Sequence, residues 1–169
     1  MRQIANLLNE MLDAGVITGY ALFGAVAQIR YTDPVATLDA DVLVGVPSPE
    51  RIDVLSPIYS FCSKKGFVSE GEAIRVGDWP LQFIPVFSPL TKEAMEKAEV
   101  ADMDGVPLRV VAADYLAVIA LDAGRPKDMA RILALLESGS VTRGGVAALA
   151  SRHGMADAWT RFEERFLNE

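Results

Sequence analysis

The sequence predicts an α+β fold: a mixed β-sheet flanked by helices, followed by a helical C-terminal subdomain. Three observations carry this. Short β-like apolar runs alternate with helical stripes up to residue 111. An Asp104-Gly105 pair separates two such runs, which is a strong hairpin signal. From residue 112 onward every segment has helical periodicity, broken only at Gly124, Gly139 and Gly154. A mixed section followed by a run of helices is the order expected of α+β architecture. The expected division is 1–111 for the core and 112–169 for the helical subdomain.

Each element follows in order. Ile4, Leu7, Leu8, Met11 and Leu12 form one stripe, so 3–14 reads as an amphipathic helix ending at Gly15. Residues 18–23 read as a strand, and Gly24 then opens a small-residue helix over about 25–31. Residues 38–46 read as the most buried strand, stopped by Pro47 and Pro49. Pro49 suits the first turn of a helix over about 49–65, with Gly66 beyond its end. Residues 67–76 and 79–86 read as two strands joined at Gly77-Asp78, with Pro80 and Pro85 confined to strand ends or an edge. A short helix at 90–98 precedes the hairpin strands 99–103 and 106–111. The final helices fall at 112–122, 126–137, 142–152 and 156–167.

Composition narrows the function. The chain has 169 residues, 51% of them hydrophobic, enough for a sizeable core. A formal net charge of -7 argues against a broad basic surface for nucleic acid, though not against a local basic pocket. Cys62 is the single cysteine, so no internal disulfide forms and a reducing cytoplasm is the expected compartment. No apolar run is long enough to span a bilayer, and the first residues lack the pattern of a signal peptide.

The chemistry concentrates at Asp39 and Asp41. Two residues apart in a strand, both carboxylates project to one side. Ala40, Val42 and Val44 occupy the other side. Two like charges beside an apolar run repel each other and are costly to bury unpaired. A divalent cation relieves both costs, and hard oxygen donors suit Mg²⁺ or Mn²⁺ with phosphate oxygens completing the shell. An Asp-x-Asp at a strand start is equally compatible with a solvated turn or a cap. Gly24 adds a second feature, because glycine at a strand-to-helix turn lets backbone amides approach a phosphate. Glycine also simply makes turns, so the weight lies in the combination.

Leu22-Phe23-Gly24-Ala25-Val26-Ala27 followed by Thr37-Leu38-Asp39-Ala40-Asp41-Val42-Leu43-Val44 resembles the signature of the DNA polymerase β-like nucleotidyltransferase superfamily. The threonine two residues before the first Asp, and the later Arg125-Pro126-Lys127-Asp128, are similar to the minimal AbiEii-like bacterial branch. The resemblance runs loosely over about residues 18–137. It implies a nucleotidyltransferase-like mixed sheet and metal-dependent transfer of a nucleotide monophosphate from an NTP to an acceptor: RNA, protein or a small molecule. It implies metal binding and catalysis at Asp39 and Asp41, and phosphate binding at Gly24 and the backbone around Ala25. Arg125 or Lys127 would reach the nucleotide, although a solvated helix start explains this basic pair as well. Toxin-antitoxin or phage-defence settings belong to the same resemblance.

Two departures qualify it. Ala25 stands where Ser or Gly is usual, which removes a hydroxyl but leaves the amide. Gln82 stands where active members carry a third acid. Asp78, four residues earlier, serves instead only under a different strand register. An amide cannot act as a base at neutral pH. The alternative reading is therefore a catalytically degenerate nucleotide-binding or protein-interaction module. The remaining candidates have plain structural explanations. His153, the single histidine, ends a helix, where a cation is favoured. Cys62 reads as a buried small hydrophobe. Trp79 and Phe83 stack on a base or pack a core. Trp159, Phe162 and Phe166 form a stripe that is either core or the face for a second copy or a partner protein.

Overall fold

The computed structural model describes residues 1–168. It has the α+β architecture the sequence predicts, with seven strands in one mixed sheet and eight helices among the described residues. The chain divides into two compact units. Met1–Ala27 and Val35–Val111 form the first, and Gln28–Pro34 with Ala112–Glu169 form the second.

The first unit carries the sheet. Its strands are β1 (Gly19–Phe23), β2 (Ala40–Gly45), β3 (Val68–Glu70), β4 (Ala73–Val76), β5 (Trp79–Pro85), β6 (Glu99–Met103) and β7 (Val106–Val110), in spatial order β3-β4-β5-β2-β1-β7-β6. β2 lies centrally, antiparallel to β1 and parallel to β5. That position explains its apolar run, since Ala40, Val42, Leu43 and Val44 are all buried.

Alternation sorts the two faces. Tyr20, Leu22, Val42, Val44, Leu81 and Phe83 share one face, and α1 (Arg2–Asp13) covers it, burying Ile4, Leu7, Leu8 and Met11. Tyr20 Oη donates to Asn9 Oδ1 at 2.6 Å, and Asn9 Nδ2 donates to the Pro107 carbonyl at 2.8 Å. Burial raises the Tyr20 phenol above its ordinary pKa. Helix α3 (Ser56–Lys64) joins α1 on this face. Its Tyr59 ring meets Phe83 edge-on at 6.4 Å, and Lys65 pairs with Glu10 at 2.7 Å. On the opposite face, α4 (Pro89–Glu96) seats Met95 over the paired glycines Gly19 and Gly45. A Cβ built on either would come within about 3.2 Å of the Met95 methyl.

Three elements differ from the sequence expectation. The helix expected over 49–65 forms only at Ser56–Lys64. Pro57 accounts for this: it lacks an N–H and is tolerated only in a first turn, and Asp53 Oδ1 accepts from the Ser56 N–H at 2.9 Å to start the helix there. The strand expected over 67–76 folds back on itself at Gly71, which adopts a left-handed φ of 63°, giving the β3–β4 pair. The helix after Gly24 is α2 (Gly24–Gln28), shorter than expected. Both Tyr31 and Thr32 donate their amides to the Gln28 carbonyl, which closes the helix in a turn.

The second unit is helical: α5 (Ala113–Ala123), α6 (Pro126–Glu137), α7 (Arg143–Arg152) and α8 (Ala156–Phe166). α5 is buried along Ala113 and Tyr115–Leu121, so it forms the centre of this unit. Trp159 and Phe162 on α8 are each 3% exposed and stack at 5.3 Å, so these two belong to the core. Phe166, which completes the stripe, is 36% exposed. Cys62 is fully buried, and burial pushes its thiol to about 11, which makes it unreactive near neutral pH.

Candidate active site

The candidate site grows from the register of three adjacent strands. β2 lies between β1 and β5, and Asp41 pairs laterally with Phe23 on one side and Gln82 on the other. Residues abreast in a sheet project to the same face. Phe23, Asp41 and Gln82 therefore form one row on the face opposite α1 and α3. All three are partly accessible, whereas Leu43, next along that face, is 1% exposed.

Gly24 follows Phe23 directly and fixes how the Asp41 carboxylate lies. Its φ is 68°, in the left-handed region that favours glycine. A Cβ built on Gly24 would stand 2.5 Å from Asp41 Oδ2. The missing side chain thus leaves room for the carboxylate against the β1–α2 turn. Ala25 follows in the first turn of α2. With only five residues, α2 supplies a weak dipole, so the close approach permitted at Gly24 is the more substantial feature.

Asp39 stands one residue ahead of β2. Thr37 holds the approach, its Oγ1 donating to the Asp39 carbonyl at 3.0 Å and to Asp39 Oδ1 at 3.4 Å. Gly24 and Asp41 are thus brought together within the first unit, with Asp39 two residues before Asp41. Gln82 lies abreast of Asp41 in the β2–β5 register. Asp78 does not, because it lies in the β4–β5 turn, where its carbonyl accepts from Arg75 Nη1 at 2.9 Å. Trp79 and Phe83 alternate onto the opposite face from Asp41 and Gln82, and Phe83 is only 6% exposed. Phe83 is a core residue, and Trp79 is half-buried on the same face.

Arg125 and Lys127 stand at the start of α6 in the second unit. Arg125 Nε donates to Asp128 Oδ2 at 2.5 Å and its Nη2 to Oδ1 at 3.2 Å. Asp128 is fully buried and also pairs with Arg131 Nη1 at 3.4 Å. The Arg-x-Lys-Asp element is thus a helix start built around a buried carboxylate. Lys127 is exposed. Sequence reasoning passed over Phe23, whose place beside Asp41 depends on strand pairing rather than on any local pattern.

The donors suit a hard cation only in part. Among the described residues, no group of three or more His, Cys, Asp or Glu side chains stands together as a metal site. Two carboxylates and one side-chain amide leave positions for phosphate oxygens and water, an oxygen-rich shell of the kind Mg²⁺ accepts. The space at Gly24 allows Asp41 to face such a ligand without a clash.

Neither a family model nor any curated protein matches the chain. Solved structures do. A nucleotidyltransferase-like protein from Paracoccidioides brasiliensis aligns over 98% of this chain and 95% of its own, with a TM-score of 0.55 at 13% identity. The fold is nucleotidyltransferase-like. The antibiotic-resistance factor ANT(2'')-Ia shares it, in a solution structure with a TM-score of 0.53 at 14% identity, covering 97% of both chains. A crystal structure of ANT(2'')-Ia in complex with adenylyl-2''-tobramycin gives 0.52 at 13% identity, covering 96% of this chain and 97% of that one. At such identities the likeness concerns the nucleotidyltransferase-like fold, and the chemistry must be argued from the residues. No helix among the described residues is long and apolar enough to cross a membrane.

Proposed function

We propose that this chain binds an NTP with a divalent cation at Asp39 and Asp41 and transfers the nucleotide monophosphate to an acceptor hydroxyl. The observation that carries the reading is the Asp41 carboxylate lying in the space left by Gly24, with Gln82 abreast of it. Asp39 and Asp41 would hold Mg²⁺ or Mn²⁺, which supplies charge neutralisation and alignment of phosphates when bound. Gly24 and the Ala25 amide admit the triphosphate. Phe23 limits water on one flank. The acceptor oxygen bonds to the α-phosphorus as the bond to the β-phosphate oxygen breaks, and pyrophosphate leaves. The acceptor's proton passes to solvent water, since the Gln82 amide cannot take it.

That last point favours a second reading, nucleotide binding with little or no turnover. The two readings share one site and separate on a single assay. Kinship with the AbiEii-like branch and a toxin-antitoxin or phage-defence role have only the sequence resemblance at Thr37 and Arg125–Asp128 behind them.

Charge supports a small acceptor over RNA. The first unit carries fourteen acidic side chains against eight basic ones, which repels a polyanion. The fold neighbour solved with adenylyl-2''-tobramycin points to hydroxyl-bearing small molecules as a class to test. The test supplies each α-labelled NTP with Mg²⁺ or Mn²⁺ and three acceptors: tobramycin, total tRNA and the chain itself. The expected result is label on the small molecule, lost in Asp41→Asn. Binding without transfer to any acceptor establishes the second reading.

A further inference from the structure

The second unit carries an open groove of about 630 Å³, built from the end of α6, the start of α7 and the residue that follows α8. Leu133, Leu136, Val141 and Leu167 line it with apolar surface, and Glu137 and Arg143 line it with opposite charges. Ile132 and Leu135 of α6 are already buried in the helical core. The half-buried Leu133 and Leu136 are therefore a second apolar row on the same helix, with Glu137 four residues after Leu133. Neither charge suits its own helix. Glu137 is the last residue of α6 and Arg143 the first of α7. An acid thus stands at a negative helix end and a base at a positive one. Among the described residues neither joins an ion pair, and Arg143 Nη2 donates to the Leu167 carbonyl at 3.4 Å. A small ligand fits this lining poorly. Thr142 Oγ1 already accepts from the Gly145 N–H at 3.1 Å, so no convergent set of polar groups remains to orient one.

We infer that a second copy of this chain docks on the groove across a two-fold axis, with Glu137 of each copy against Arg143 of the other. A two-fold interface presents the same patch twice, so opposite charges lining one groove meet crosswise. That pairing gives each charge the partner of opposite sign that its own helix end withholds. Charge over the whole chain favours the same meeting point. The second unit carries nine acidic and eight basic side chains, against fourteen and eight in the first. Two copies therefore repel least where their helical units meet. Closing the groove removes Leu133, Leu136 and Leu167 from water. Phe166, next to Leu167 and 36% exposed, extends that apolar surface. The inference is independent of the proposed nucleotide chemistry, so either can fail without the other.

The test is sedimentation velocity of the full chain over a series from low micromolar to near-millimolar concentration. The wild type should pass from monomer to dimer and stop there. Glu137→Arg and Arg143→Glu each set like charges against each other and should weaken the dimer about tenfold. Each new charge suits its own helix end, so both variants should melt no lower than the wild type, which separates lost association from lost folding. The double variant Glu137→Arg with Arg143→Glu reverses every pair and should recover the wild-type dissociation constant to within about threefold. Leu136→Asp should weaken the dimer as well. A wild type that stays monomeric throughout overturns the inference. So does assembly that grows past the dimer, since docking without a two-fold does not close. Single variants that dimerise like the wild type, or a folded double variant that does not recover, overturn it equally.

Discussion

Gly24→Ala should lose measurable NTP binding and lower stability together. Two independent costs act at this position. Alanine at a φ of 68° is strained by about 1–3 kcal/mol. The added methyl also meets Asp41 Oδ2 at 2.5 Å, so the carboxylate must rotate away. The backbone strain is a stability cost. Carboxylate displacement is a site cost, because it moves one of the two charged donors. The melting midpoint should drop by roughly 2–4 °C per kcal/mol lost for a chain of this size, and affinity for NTP with Mg²⁺ should fall at least about tenfold, equivalent to about 1.4 kcal/mol. Gly66→Ala provides the control. Its φ of 85° carries the strain, but nothing lies within 4 Å of an added Cβ. It should lose stability and keep affinity.

Gln82→Asp should raise the rate of nucleotidyl transfer. Gln82 stands abreast of Asp41 in a parallel register that leaves no room for Asp78 to substitute. An aspartate there sets a carboxylate abreast of Asp41, a third acid with Asp39, and adds a group able to take the acceptor's proton. A positioned general base contributes about 10²–10⁴-fold, so an increase of that order over the wild-type rate is expected with α-labelled NTP and Mg²⁺. Without metal, the new charge beside Asp41 should make the variant less stable than wild type at pH 7, because like charges oppose ionisation. Mg²⁺ should remove that difference. An inactive variant that still binds NTP would show that more than the third acid separates this site from a working transferase.

Much of the first unit was legible because its patterns are local. The buried run of β2, the Asp104-Gly105 hairpin and the amphipathic face of α1 each follow from a few neighbouring residues, and each is present. Gln82 could be placed opposite the Asp pair because strand alternation fixes side-chain direction once the strand is found. The failures share a different cause. Pro57 outweighs Pro49 as the helix start because Asp53 caps the chain there, a choice between two similar local signals. Gly71 folds a presumed single strand into a hairpin whose partner is its own continuation. Phe23 beside Asp41, and Gln28 beside Arg131 over 100 residues away in sequence, depend on pairing between distant segments. No window of sequence contains that information.

The Asp39–Asp41 site is tested most directly by the melting temperature with each of the four NTPs, with and without Mg²⁺ or Mn²⁺, in wild type and Asp41→Asn. A nucleotide at 100 times its dissociation constant stabilises by about 2.7 kcal/mol, or roughly 5–10 °C for this chain length. Such a shift is expected with at least one NTP, dependent on the divalent cation and absent from Asp41→Asn. No shift with any NTP, or an equal shift in Asp41→Asn, would contradict the site.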